Sequence, residues 1–70
     1  MFTKTDLISY LSDLETIETN MRDLYSSTAE MVDDVQIKKI LSDLAKIEEG
    51  HKNLVTKLRA LAIKQSITED

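Results

Sequence analysis

The sequence predicts an all-α fold: an antiparallel hairpin of two helices, at about 5–32 and 34–64, that dimerises into a four-helix bundle. Three observations predict this. The 70 residues include no proline and one glycine, so nothing in the chain strongly opposes helix. Apolar residues recur at alternating steps of four and three in two long stretches. Two adjacent acidic residues separate those stretches, as expected where a second helix begins.

The first helix begins at a predicted capping box formed by Thr3 and Asp6, with Thr5 as a competing N-cap. Its inward-facing seam contains Leu7, Leu11, Leu14, Glu18, Met21, Tyr25, Thr28 and Val32. A further apolar column runs beside this seam, at Tyr10, Ile17, Leu24 and Met31. Apolar residues at three positions per heptad are typical of a helix in a globular bundle.

A short turn is predicted between Val32 and Val35. The acidic residues Asp33 and Asp34 within it suit the start of the second helix. Since neither glycine nor proline marks this turn, one continuous helix is the competing interpretation. The seam of the second helix contains Ile37, Leu41, Leu44, Glu48, His51, Val55, Leu58 and Ala62. Its own further apolar column is Ile40, Ile47, Leu54 and Leu61. We interpret 1–70 as a single domain that ends in a flexible tail at 65–70.

Two such helices cannot cover each other's apolar faces, because each face is wider than one neighbouring helix can bury. A second copy of the chain is therefore expected to dock and complete the bundle. A homodimer is the smallest assembly that this predicts, and a higher oligomer stays open.

Composition excludes several classes of protein. Without cysteine the chain has no disulfides and no zinc–thiolate site. A net charge of −4 and the lack of a basic cluster argue against a nucleic-acid partner. No apolar run approaches the roughly 20 residues of a membrane span, and the N-terminus lacks a signal-peptide pattern. We therefore expect a cytoplasmic protein with no membrane partner.

Polar residues interrupt both seams at one height. Glu48 and His51 are three residues apart, so they project from the same helix face. Folding about position 33 places Glu18 level with Glu48, and places Glu15 level with His51. Buried carboxylates beside an imidazole are costly unless they are compensated.

A metal ion would supply that compensation. In a dimer, two copies of Glu18, Glu48 and His51 give four carboxylates and two imidazoles, which match the ligands of a bundle di-metal site. Nitrogen and oxygen donors without sulfur suit iron, with manganese or zinc as substitutes. The alternative is a hydrogen-bonded Glu–His layer that only sets the register of the helices in a non-catalytic dimerisation module.

The run Glu18-x6-Tyr25, followed by Leu44-Ala45-x-x-Glu48-x-x-His51, resembles the ferritin-like and rubrerythrin-like di-iron carboxylate superfamily. The half-length chain is most similar to the two-helix encapsulated ferritins. This resemblance implies a ferritin-like four-helix bundle with ferroxidase activity, in which Fe(II) is oxidised by dioxygen or peroxide at the dimer interface. It also implies Glu18, Glu48 and His51 as metal ligands and catalytic residues.

The resemblance further implies roles around the metal and in the cell. Tyr25 matches a tyrosine near the metal, where it would bond a ligand carboxylate or supply an electron, although it fits equally as core filler. Glu15 could orient His51 or pass incoming cations, or be an ordinary solvated residue. Iron storage and packaging in an encapsulin-type protein nanocompartment follow from the same family.

The chain departs from the encapsulated ferritins at several positions. Ile17 and Asn20 stand where the family carries extra acidic residues, and Leu24 replaces an aromatic residue. The C-terminal residues 64–70 show no clear counterpart of a shell-docking tail. The cysteine-dependent rubredoxin domain of rubrerythrins is absent.

Overall fold

A computed structural model describes residues 3–64 as two helices, α1 (Lys4–Met31) and α2 (Val35–Lys64), which pack against each other. The predicted all-helical hairpin is confirmed. The predicted tail at 65–70 lies outside the described residues.

The start of α1 is fixed by Thr3. Its hydroxyl accepts a hydrogen bond from the backbone N–H of Asp6, and the Asp6 carboxylate accepts one from the Thr3 N–H, both at 3.1 Å. This reciprocal pair satisfies two backbone donors that a helix start otherwise leaves free. The predicted capping box is confirmed, whereas the competing N-cap at Thr5 is wrong because Thr5 lies inside the helix.

A three-residue turn at 32–34 separates the helices. Val32 has an extended backbone, with φ −96° and ψ 146°. The Asp34 carboxylate then accepts a 2.9 Å hydrogen bond from the Ile37 N–H, so Asp34 caps α2. One continuous helix is therefore wrong, and the chain forms a rod of 53 × 16 × 13 Å.

The core between the helices is small. The buried hydrophobic residues among those described are Leu11, Ala29, Ala45 and Ala62. Ala29 and Ala45 lie outside the predicted seams, in the column on the flank opposite the further apolar columns. Leu11 and Ala62 do lie in the predicted seams, so the contact between the helices covers part of each seam and extends to the flank where the small side chains of Ala29 and Ala45 are buried.

The opposite flank remains open. Eight apolar side chains there, called the apolar stripe below, are each between 51% and 77% exposed. The apolar stripe consists of Tyr10, Ile17, Leu24, Met31, Ile40, Ile47, Leu54 and Leu61. Exposed apolar faces of this kind are typical of interaction surfaces.

Neither helix within residues 3–64 has a stretch apolar enough to cross a membrane.

Candidate metal centre

The structure brings together the three predicted ligands. One ligand atom from each of Glu18, Glu48 and His51 lies within 4.8 Å of the other two. The Nδ1 atom of His51 is 3.1 Å from Oε1 of Glu48 and 3.6 Å from Oε2 of Glu18. Glu48 and His51 meet because they are one turn apart on α2, and α1 supplies Glu18 at the same height.

The distances from His51 Nδ1 to the two carboxylates suit a shared metal ion. With metal–ligand bonds of about 2.1 Å, neighbouring donors lie about 3.0 Å apart in an octahedral site and about 3.4 Å apart in a tetrahedral one. The two distances from His51 Nδ1 fall close to this range. The donor set of one imidazole nitrogen and two carboxylates suits Fe(II), Mn(II) or Zn(II).

The two carboxylates differ from the other acids between the helices. The side chains of Glu18 and Glu48 are 18% and 15% exposed, and the ion pairs recorded for them within residues 3–64 are all with His51. Glu15 and Glu49, by contrast, each pair with an arginine. Two adjacent, largely covered carboxylates without a permanent cation repel each other, and a divalent cation would remove that repulsion.

The site opens towards the apolar stripe. The His51 side chain is 53% exposed, far more than its two carboxylate partners. On α2, His51 is flanked by Ile47 and Leu54, both members of the stripe. The imidazole therefore stands on the same side of the hairpin as the uncovered apolar surface.

Glu15 lies away from the imidazole. Its carboxylate accepts a hydrogen bond from the Thr56 hydroxyl and pairs with Arg59, whose Nε lies 2.8 Å from Oε1 without the alignment of a hydrogen bond. Side chains lean towards the N-terminus of their own helix, which carries a residue of α1 to meet one further along α2 than its backbone height predicts. The prediction that Glu15 orients His51 gains no support, since its carboxylate bonds Thr56 and Arg59 instead.

The hydrogen bond from Thr56, followed by the contacts with Arg59, holds the pKa of the Glu15 carboxyl below its usual range despite the opposing effect of burial. Glu15 therefore carries its negative charge at neutral pH, as its pairing with Arg59 requires.

A second interhelical ion pair, between Arg22 and Glu49, is one that the sequence pattern did not predict. Arg22 of α1 donates a hydrogen bond to Glu49, which also lies 3.3 Å from Nζ of Lys52. The bond from Arg22 is the main cause of a lowered pKa at Glu49, and the bond to Glu49 is likewise the main cause of a raised pKa at Arg22. The sequence did contain a signal for this pair, because Arg22 and Glu49 carry opposite charges beside the two facing seams.

Two other residues lie near the three ligands in the sequence of their helices, Tyr25 on α1 and Gly50 on α2. Tyr25 is half-buried on the face of α1 that carries Glu18, two turns away, and its bond to a ligand carboxylate stays a prediction. Gly50 lies between the two α2 ligands, and a Cβ built on it would meet nothing within 4 Å. The single hairpin therefore gives no steric reason for glycine at this position.

Comparison with known proteins does not identify a family for this chain. No family model, no curated protein and no solved structure matches it.

Proposed function

We propose that this chain is a di-iron ferroxidase whose metal site forms across the interface of a homodimer. The observation that carries the proposal is the convergence of Glu18, Glu48 and His51 beside an exposed apolar face. One hairpin supplies two carboxylates and one imidazole. Two hairpins supply the four carboxylates and two imidazoles that bind a pair of divalent ions in four-helix bundles.

The same apolar surface supports the proposed homodimer. The buried core of one hairpin includes three alanines and a single leucine among the described residues, which is little for two helices of this length. Covering the apolar stripe with a second copy would bury apolar surface and bring the two half-sites together. It would also enclose His51, whose exposed side faces that stripe.

Each protein side chain has a defined task in the proposed site. Glu18 and Glu48 would hold Fe(II) and neutralise its charge, and the family resemblance implies that Glu48 would be the carboxylate shared by the two ions. His51 provides a neutral nitrogen donor. Tyr25, two turns from Glu18 on α1, would donate a hydrogen bond to a ligand carboxylate or supply an electron.

The proposed reaction consumes Fe(II) as substrate. Two Fe(II) ions each lose one electron, and dioxygen takes up those two electrons and two protons to become hydrogen peroxide. With hydrogen peroxide as the oxidant, the same two electrons and two protons yield two water molecules. The proposed dimer would contribute two adjacent binding positions, and the second copy would cover the exposed His51 from bulk water.

The family resemblance supports iron as the cargo, and it extends the proposal to iron storage by an encapsulated ferritin. Mn(II) and Zn(II) would occupy the same donors without the same chemistry. An encapsulin-type shell is the partner that such a role would require. We also propose that the protein is cytoplasmic.

The alternative is a non-catalytic dimerisation module with a structural Glu/His layer. The 3.1 Å contact between His51 and Glu48 favours it, since this hydrogen bond partly satisfies the polar layer without a metal. The two functions differ in what happens to added iron.

Anaerobic titration with Fe(II) followed by exposure to air separates the two functions. A ferroxidase binds two irons per dimer and then develops a ferric charge-transfer band. That band is lost in Glu48→Ala and His51→Ala and retained in the control Glu30→Gln, an exposed acid away from the site. Dimers that bind no stoichiometric iron would support the structural module instead.

A further inference from the structure

The turn between the helices is weakly specified by local sequence. Residues 32–34 include neither glycine nor proline, and the cap at Asp34 contributes only about 1 kcal/mol. The apolar pattern repeats every heptad, so moving the turn by about half a heptad would again place apolar side chains opposite one another. The small side chains of the alanines buried between the helices interlock weakly, so they provide little steric barrier to such a slip.

Two ion pairs oppose it. The Arg22–Glu49 and Arg59–Glu15 pairs both join α1 to α2. Arg22 lies one turn after Glu18, and Glu15 lies nearly one turn before Glu18. The two pairs therefore lie on either side of the layer formed by Glu18, Glu48 and His51. Their polarity is opposite, because α1 supplies the arginine in one pair and the carboxylate in the other.

A slipped hairpin would break the Arg22–Glu49 pair in either direction, whereas the shift that brings Arg22 to Ser42 would bring Glu15 to Lys52, so Arg22 and Glu49 discriminate between registers more strongly. A shift of one heptad would place Arg22 opposite Ser42 or Thr56 instead of Glu49. The same shift would place Glu18 opposite Leu41 or Val55 instead of Glu48. The register that forms both ion pairs is therefore the register that assembles the ligands.

We propose that Arg22 and Glu49, with Arg59 and Glu15, are positioning residues that lock the helices in the register that assembles the metal site. They lie on the flank away from the apolar stripe, so they act within one hairpin and leave the surface for the second copy free. Partly exposed pairs of this kind add little to total stability, but they discriminate between alternative pairings. The effect on metal binding rests on the proposed function, whereas the register of the helices can be measured without metal.

Charge reversals test the role of the pair. Arg22→Glu and Glu49→Arg each break the pair but have opposite direct effects on a bound cation. If the pair sets the register, both single variants bind Co(II) about tenfold more weakly. The double variant, which restores the pair in reverse, returns to within about twofold of wild type. If charge alone matters, Arg22→Glu binds Co(II) more tightly and Glu49→Arg more weakly, which would overturn the proposal.

Matched controls come from Lys39 and Asp43, which pair at 2.9 Å within α2 and bridge no second helix. Lys39→Glu and Asp43→Lys introduce the same changes of charge. Both should bind Co(II) within about twofold of wild type. An equal loss of affinity in these controls would contradict the assignment to the interhelical pair.

A distance measurement reports the register independently of metal. The chain has no cysteine, so nitroxide labels can be placed at Ser27→Cys and Asn53→Cys, two exposed positions about 20 Å apart along the rod. Dilution with unlabelled chain removes distances between protomers. Arg22→Glu should add a second population displaced along the axis by about 10 Å, and the reversed double variant should remove it.

An unchanged distance distribution in Arg22→Glu would overturn the inference, whatever the metal data show. If the wild-type protein bound no Co(II) yet Arg22→Glu still slipped, the proposed function would fail while the register assignment would stand.

Discussion

Leu54 offers the sharpest test of the homodimer, because its side chain is 65% exposed in the single hairpin and lies one turn from His51. Leu54→Ala removes apolar surface that the hairpin does not bury but a second copy would cover. Fully burying a leucine is worth about 1.5–3 kcal/mol, so covering the exposed fraction is worth about 1–2 kcal/mol per copy. A symmetric dimer contains the residue twice, which gives about 2–4 kcal/mol and a weakening of roughly 30- to 1,000-fold in the dimer dissociation constant.

Sedimentation velocity over a dilution series measures that constant. Thermal unfolding of the dilute monomer provides the internal control, because alanine is at least as good a helix former as leucine and should not destabilise the hairpin. Lys57→Ala, an exposed change that lies off the apolar stripe, should leave dimerisation unchanged. A Leu54→Ala protein that dimerises as tightly as wild type would refute the assignment of this face to a second copy.

Three further predictions follow from the local structure. Gly50→Ala should raise the free energy of unfolding by about 0.5–1 kcal/mol, because alanine favours a helix interior more than glycine and the added methyl group meets open space. Urea denaturation measures this change, and destabilisation of the monomer would contradict it. Thr3→Ala should lower the same free energy by about 1 kcal/mol through loss of the capping box, and an unchanged urea midpoint would contradict the cap. The lowered pKa values of Glu15 and Glu49 mean that their contribution to stability is fully present above the ordinary value of 4.5 and is lost as pH falls through the lower folded-state values. Urea midpoints measured from pH 6 to pH 2 should therefore fall less steeply in a Glu15→Gln, Glu49→Gln double variant than in wild type, and parallel curves would refute the pairing.

The helical periodicity was enough to predict the hairpin. The steps of four and three, the Thr3–Asp6 box and the acidic pair at 33–34 each express a local preference that the fold retains. The equal height of residues along an antiparallel pair then predicted that Glu18 meets Glu48 and His51. The two carboxylates are largely covered, whereas the His51 side chain stays exposed.

The sequence pattern does not predict how far each helix is rotated about its own axis. Periodicity identifies a broad apolar face but not which part of it meets the single neighbour within one chain. Ala29 and Ala45 let one flank close, so the apolar stripe stays exposed. The lean of side chains along the helix likewise took Glu15 to Thr56 and Arg59, and Glu49 to Arg22. These details depend on three-dimensional packing that no single helix pattern contains.

Native mass spectrometry of the protein after anaerobic addition of Fe(II) tests the central proposal most directly, because it reads subunit and metal counts in one ion. We expect a dimer that carries two iron ions, and we expect Glu18→Ala to lose the iron although its apolar stripe is intact. A wild-type protein that stays monomeric, or a dimer that carries no iron, would contradict a metal site shared between two hairpins.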